Sequence, residues 1–231
     1  MNELTYNGKK LSEFGVYYDS HPAYGSPERD VEMVEIAGRN GSLIIDNDRF
    51  RNIDLSFPCY CPSNFLAQYR NAMAFLQSSK GYNRLEYSEE PDHFRMASFN
   101  MGSQPEPNQR AGHFPVVFSC KPQRFLKSGE ETVPITADTY INNPTLFPSY
   151  PLIRIYGAGK VTINNQVITV SAHSLDYIDI NCELMDAYCG STNANQYVSF
   201  SDNNYITLKA GANGIDLDGV TIDITPNWFE I

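Results

Sequence analysis

The densest run of ionisable side chains is Glu89-Glu90-Pro91-Asp92-His93. Paired carboxylates beside an imidazole can move protons or ligate a metal. With a proline inside the run and strand-forming residues on both sides, it reads first as a solvated turn. The catalytic alternative is a hydrolase built on Glu89, Glu90 or Asp92. Asp46-Asn47-Asp48 and Asp216-Leu217-Asp218-Gly219 gather oxygens as calcium loops do. Neither continues with the spaced ligands and terminal glutamate that such a loop needs. His21, His93, His113 and His173 stand far apart without ligand spacing, and no serine sits in a G-x-S-x-G elbow. Gly157-Ala158-Gly159 lacks the third glycine and following helix of a phosphate cradle. Cys59 and Cys61 share one face of a strand, but Cys120, Cys182 and Cys189 supply no second pair to complete a zinc site. The expectation is five free thiols, no catalytic residue, no metal and no cofactor.

Composition narrows the class further. The 231 residues carry a net charge of −10, with 17 basic side chains scattered singly or in pairs. Binding along a phosphate backbone needs those charges clustered. An acidic protein can still lie beside DNA, because like charge prevents sticking. No apolar run approaches the ~20 residues of a membrane span, and the opening MNELTYNGKK shows no signal-peptide core. The expected setting is therefore the cytoplasm, with no membrane partner. Aromatic content is 13%, with 15 tyrosines and 13 phenylalanines. Such rings either line a sugar-binding face or fill cores and subunit interfaces, and their alternating positions favour the second. Trp228-Phe229, so near the C-terminus, is expected to dock against its own domain or a neighbour.

The elements that must position these groups are mostly strands. Pro144, Pro148 and Pro151 stiffen an extended connector over residues 141–151. The expected domains are therefore 1–140 and 152–231. In the first, Leu4–Leu11 forms a hairpin around Asn7-Gly8, and Phe14–Tyr18 reads as a strand. Residues 31–36 and 43–45 form a second hairpin turning at Asn40-Gly41. Arg51–Cys61 alternates apolar and polar. One helix over 63–80 follows, with Phe65, Leu66, Tyr69, Ala72, Met73 and Leu76 on one stripe. Strands then recur at Asn83–Tyr87, Phe94–Met101 and His113–Cys120. Beyond the connector, eight short strands (151–156, 160–164, 166–170, 176–181, 183–188, 196–200, 205–209 and 220–225) are separated by turn markers at Asn164-Asn165, Asn213-Gly214 and Asp218-Gly219. The fold class is mainly β: an α+β N-terminal domain with one helix on a sheet, then an antiparallel sandwich of jelly-roll type.

The order of several short structural motifs resembles the distal tail proteins of long-tailed, non-contractile phages and prophages. They are Phe14-Gly15, Gly38-Arg39-Asn40-Gly41, the helix leading to Gly81-Tyr82, Leu85-Glu86-Tyr87 before Glu90-Pro91, and Phe118-Ser119-Cys120-Lys121-Pro122. The second half adds Pro151–Gly157, Ile178–Glu183, Asp186-Ala187-Tyr188 and the end Ile224–Ile231. The resemblance implies a non-enzymatic, homohexameric ring whose channel lets DNA pass, joining the tail tube to the tail-tip, fibre or receptor-binding proteins. It implies the tape-measure protein as a further partner and the virion tail tip as the final location, after assembly in the host cytoplasm. It also implies a galectin-like second domain, and a hairpin reaching along the neighbouring subunit through Ile36, Gly38, Arg39, Asn40, Gly41, Leu43 and Ile44. Tight turns throughout residues 152–231 leave no room for the sugar-binding insertion of some relatives. The alternative reading is a carbohydrate-binding sandwich that recognises host-surface glycans.

Overall fold

The computed structural model describes residues 2–22, 25–99, 106–107, 112–202 and 204–231. The chain divides into two compact units, one ending at Arg124 and the other spanning Phe125–Glu230.

In the first unit, β1 (Leu4–Tyr6) and β2 (Lys9–Lys10) turn at Asn7 and Gly8, whose φ values of 48° and 75° suit a primed hairpin turn. Asn and Gly tolerate that left-handed backbone where other residues resist it. The expected strand at Phe14–Tyr18 shrinks to β3 (Tyr17–Tyr18). Leu11–Phe14 instead forms a 3₁₀ turn, closed by Gly15 and Val16 N–H groups donating to Ser12 and Leu11 carbonyls at 2.9 and 3.1 Å. Next come β4 (Arg29–Val34), β5 (Leu43–Phe50), β6 (Ile53–Cys61), α1 (Phe65–Ser78), β7 (Asn83–Tyr87), β8 (His93–Ser98), β9 (Glu106–Pro107) and β10 (Gly112–Leu126). The strand expected over Phe94–Met101 thus ends at Ser98 in β8, and Met101 lies outside the described residues.

The main sheet runs β2-β1-β7-β8-β10-β6-β3, with β9 also on β10. The alternation in β6 and β10 sets its core. Leu55, Phe57 and Cys59 stand opposite Phe118, Val116 and Phe114, and all six are buried. A one-residue slip would turn every one of them to the other face. Helix α1 lays Phe65, Ala72, Met73 and Leu76 into this core. The helix is shorter than its sequence boundaries: Asn64 takes a left-handed φ of 45°, and Ser79 is already extended.

The second unit contains β11 (Val133–Ile135), β12 (Thr139–Asn143), β13 (Leu152–Tyr156), β14 (Gly159–Ile163), β15 (Gln166–Val170), β16 (Ile178–Asn181), β17 (Asp186–Cys189), β18 (Thr192–Asn193), β19 (Val198–Phe200), β20 (Gly211–Asp218), β21 (Thr221–Thr225) and β22 (Phe229–Glu230). Two antiparallel sheets, β11-β21-β13-β16-β17-β18 and β12-β20-β14-β15-β19, share one core. Isoleucines dominate it: Ile153, Ile155, Ile178, Ile180, Ile222 and Ile224 from one sheet face Ile163, Ile168 and Ile215 from the other. Stiff β-branched side chains suit such a pleated interior.

The first unit ends sixteen residues before the expected 140, and the second begins twenty-seven before the expected 152. Strand β11 pairs with β21 and buries Ile135, while β12 pairs with β20 over five residues. Residues 141–151 are therefore a wall of the sandwich and not a connector. The Asn143 amide donates to Phe147 and Leu208 carbonyls at 3.0 Å, and its oxygen accepts from Thr145. Ser149 exchanges two 3.0 Å backbone bonds with Leu208. Asn213-Gly214, expected as a turn, lies inside β20. The fully buried Asn213 side chain donates to Lys209 and Gly211 carbonyls and accepts from the Lys209 N–H. Asparagine bonds nearby backbone in either setting, so the same chemistry serves a strand here. The expected strand at 205–209 retains only the Leu208–Ser149 bridge.

Candidate assembly interface

One element of the first unit has no share in its core. Strands β4 and β5 pair only with each other among the described residues, and no residue of theirs belongs to the first unit's hydrophobic cluster. The register Val34↔Leu43, Glu32↔Ile45, Met33↔Ile44, Val31↔Asp46 fixes which side chains share a face. Val31, Met33 and Ile44 lie on one side; Val34, Leu43 and Ile45 lie on the other. Met33 is 65% exposed, Ile44 60%, Ile45 44%, and Leu43 and Ile36 42% each. Both faces of the ribbon are thus apolar and open to water.

Water is a poor environment for such an element. A two-stranded ribbon alone is marginally stable at best, and burying each of these side chains is worth ~1.5–3 kcal/mol. The connection between the strands runs from Glu35 to Ser42, longer than the two-residue turn at Asn40-Gly41 that the sequence suggests. Gly38 and Gly41 both take left-handed φ, 82° and 80°. Among the expected interface residues, Leu43 and Ile44 stand on β5. Ile36, Gly38, Arg39, Asn40 and Gly41 form the tip, all of them exposed.

The base of the ribbon is held by charge. Buried Asp30 accepts from Arg49 Nε at 2.7 Å and from Arg51 Nη2 at 2.8 Å and Nε at 3.1 Å. The Arg51 guanidinium first, and Arg49 second, holds the Asp30 carboxyl below its usual range. Arg29 donates to Asp46 at 2.6 Å and lies over the Phe50 ring. Asp46 also accepts the Asp48 N–H at 2.9 Å. Of the three oxygen-bearing side chains in this stretch, that of Asp46 is therefore engaged in holding the ribbon.

The remaining candidate residues fall elsewhere. Glu89 accepts from the Tyr18 hydroxyl and from Asn2, and Glu90 from the Tyr87 hydroxyl at 2.6 Å and Arg124 at 2.9 Å. These bonds tie the β7–β8 turn to three other segments of the first unit. Asp216 and Asp218 lie in β20, and no group of three or more metal-ligating side chains gathers among the described residues. Cys59, Cys61, Cys120 and Cys182 are buried thiols. Trp228 sits in the second core and Phe229 between Phe125 and Phe147. The Trp228 carbonyl accepts from the Leu126 N–H at 2.9 Å, and a Cβ on Gly129 would lie 2.3 Å from the Trp228 nitrogen. Only glycine fits beneath the C-terminal segment there.

Sequence reasoning passed over one charged row. On the outer face of the six-stranded sheet, Asp223, Arg154 and Asp179 stand side by side on β21, β13 and β16. Arg154 meets Asp179 through two bonds of 2.7 and 2.9 Å, and Tyr177 covers its guanidinium at 4.0 Å. The available signal was a lone charge between two isoleucines, repeated in Ile153-Arg154-Ile155, Ile178-Asp179-Ile180 and Ile222-Asp223-Ile224.

No protein-family model and no curated protein matches the chain. Solved structures do. The SPP1 Dit protein, described as a paradigm of the hub adsorption apparatus in phages infecting Gram-positive hosts, superposes with a TM-score of 0.74 over 100% of both chains, at 14% identity. The chain has the fold of a phage distal tail (Dit) hub protein. A component of the phage p2 baseplate in its activated, strontium-bound conformation matches with a TM-score of 0.50 over 97% of both chains, at 11% identity. The Dit fold thus spans the whole chain, both units included.

Proposed function

We propose that this chain is a non-enzymatic hub of a phage tail tip. Copies close into a hexameric ring that joins the tail tube to the host-recognition apparatus and leaves a channel for DNA. The observation that carries this reading is the β4–β5 ribbon, with exposed apolar side chains on both faces and no third strand paired to it among the described residues, in a chain with the hub fold. An arm of one copy lying on a different surface of the next is a head-to-tail contact, and such contacts close into rings when the rotation allows. The arm buries apolar area on a neighbour and covers strand edges that would otherwise invite aggregation. The net charge of −10 suits a channel through which DNA slides without sticking. Tail tube, tape-measure and fibre or receptor-binding proteins are the partners of such a hub. The tail tip is its location, after assembly in the host cytoplasm.

Light scattering on the purified protein, alone and with the tail-tube protein, tests this. The expected particle has six times the mass of the 26.0 kDa chain. The double substitution Met33→Asp/Ile44→Asp is expected to leave a monomer. At a dilution where both are monomeric, its stability should stay within about 0.5 kcal/mol of the parent, because surface changes cost little and the ribbon carries no core residue. A double variant that assembles as well as the parent, or a parent that stays monomeric in both settings, would overturn the reading.

A further inference from the structure

We infer that the outer face of the six-stranded sheet carries a subsite for a single ring of a neutral saccharide, centred on Arg154, Asp179 and Asp223. A recess of about 150 Å³ opens there, lined by Thr132, Leu152, Arg154, Asp179, Asp223 and Thr225. That is room for several waters, and so for one sugar ring.

The groups around it are fixed before any ligand arrives. Arg154 meets Asp179 through Nε and Nη2 and is pinned beneath Tyr177. Asp179 itself is 5% exposed. Asp223 is held differently: the Tyr156 hydroxyl donates to its Oδ2 at 2.8 Å. Among the described residues that leaves Asp223 Oδ1 with acceptor capacity and no donor. Thr132 and Thr225 share one hydroxyl–hydroxyl bond of 2.9 Å, so the pair still offers a donor and acceptor sites. Leu152 adds an apolar wall.

This set selects the ligand by elimination. An anion would meet two carboxylates against one guanidinium already neutralised. A simple cation would lie beside Arg154, with no third acidic ligand to hold it. A neutral polyol donates its hydroxyls to Asp223, exchanges bonds with Thr132 and Thr225, and lays a C–H face on Leu152. A purely structural ion-pair row would be complete with Arg154 and Asp179. Asp223 exceeds that need.

The test is saturation-transfer NMR on the full chain with D-glucose, D-galactose, N-acetyl-D-glucosamine and L-rhamnose at millimolar concentration, beside glucuronate and glucose 6-phosphate. At least one neutral sugar is expected to receive saturation, and neither anion. Asp223→Asn and Thr225→Val should each weaken that binding about tenfold or more, the cost of one lost hydrogen bond to a fixed partner. Their melting is expected to match the parent, since Asp223 and Thr225 stand on the outer face. Silence from every neutral sugar, or binding unchanged in both variants, overturns the subsite. The ribbon double variant should bind as the parent does, so this outcome is independent of ring assembly.

Discussion

At the scale of single residues, Asp30 decides how stiffly the ribbon leaves its base. Its carboxylate meets both the Arg49 and the Arg51 guanidinium. Because those two guanidiniums depress its native pKa, the unfolded or detached state binds a proton first as pH falls. The stabilisation is fully present above the ordinary value of 3.8 and is lost as pH drops through the depressed native value. Backbone NMR order parameters over residues 31–46 should therefore hold from pH 7 down to about 4 and fall below it. Asp30→Asn should show the low values at pH 7 already. The thiols give a second residue-level prediction. Burial pushes Cys61 up to about 11 and Cys120 and Cys182 up to about 12, and Cys59 higher still. Nucleophilic attack needs the thiolate and access to it. Only half-buried Cys189 meets the second condition. A disulfide reagent added to the native protein should titrate one thiol rapidly, and all five after denaturation. Cys189→Ser should abolish the rapid phase.

At the scale of elements, strands were legible in the sequence where two conditions met: strict alternation and a buried face. Strands β6, β10 and β13 satisfy both, and α1 shows its stripe equally well. The ribbon satisfies neither condition fully, since Val31-Glu32-Met33-Val34 breaks alternation before its end. That broken pattern is itself the mark of an element apolar on both sides. Its hairpin character was legible from the glycines at 38 and 41. Its long tip was not, because Asn40-Gly41 imitates a two-residue turn. Strand β20 was hidden for a related reason: Asn213 spends its side chain on backbone groups inside the sandwich, where turn chemistry and strand chemistry look alike. The chemistry of the β7–β8 turn was over-signalled. Four polar letters around Pro91 read first as a turn, with a hydrolase site as the alternative, whereas Tyr18 and Arg124 are too far away in sequence for their bonds to Glu89 and Glu90 to be foreseen. The Asp223–Arg154–Asp179 row was missed by the opposite error, because its members are single letters in three apolar strands.

At the scale of the whole molecule, the division after Arg124 makes a claim about what folds alone. Three prolines between residues 144 and 151 suggest a hinge, and a domain cut there would begin at Leu152. Such a fragment lacks β11 and β12. Ile135 leaves the core, β20 and β21 each lose a neighbour, and Leu208 loses the Ser149 backbone that both gives and receives a bond. Deleting one buried isoleucine down to its Cβ costs ~2–5 kcal/mol, and each orphaned buried polar group adds ~1–3 kcal/mol. That sum, together with two bare strand edges, takes most of the ~5–15 kcal/mol by which a domain is stable. A fragment starting at Phe125 keeps all of these contacts, including Gly129 beneath Trp228 and the bond from Leu126 to the Trp228 carbonyl. Residues 125–231 should therefore give a dispersed amide spectrum and one cooperative melting transition. Residues 152–231 should give a collapsed spectrum and no transition. Cooperative melting of the shorter piece at a similar temperature would move the boundary back to the prolines and make residues 125–151 an ornament on an already complete sandwich. The burial of Asn143, Thr145 and Ser149 argues the other way, since polar side chains are sealed from water only where their partners are part of the same fold.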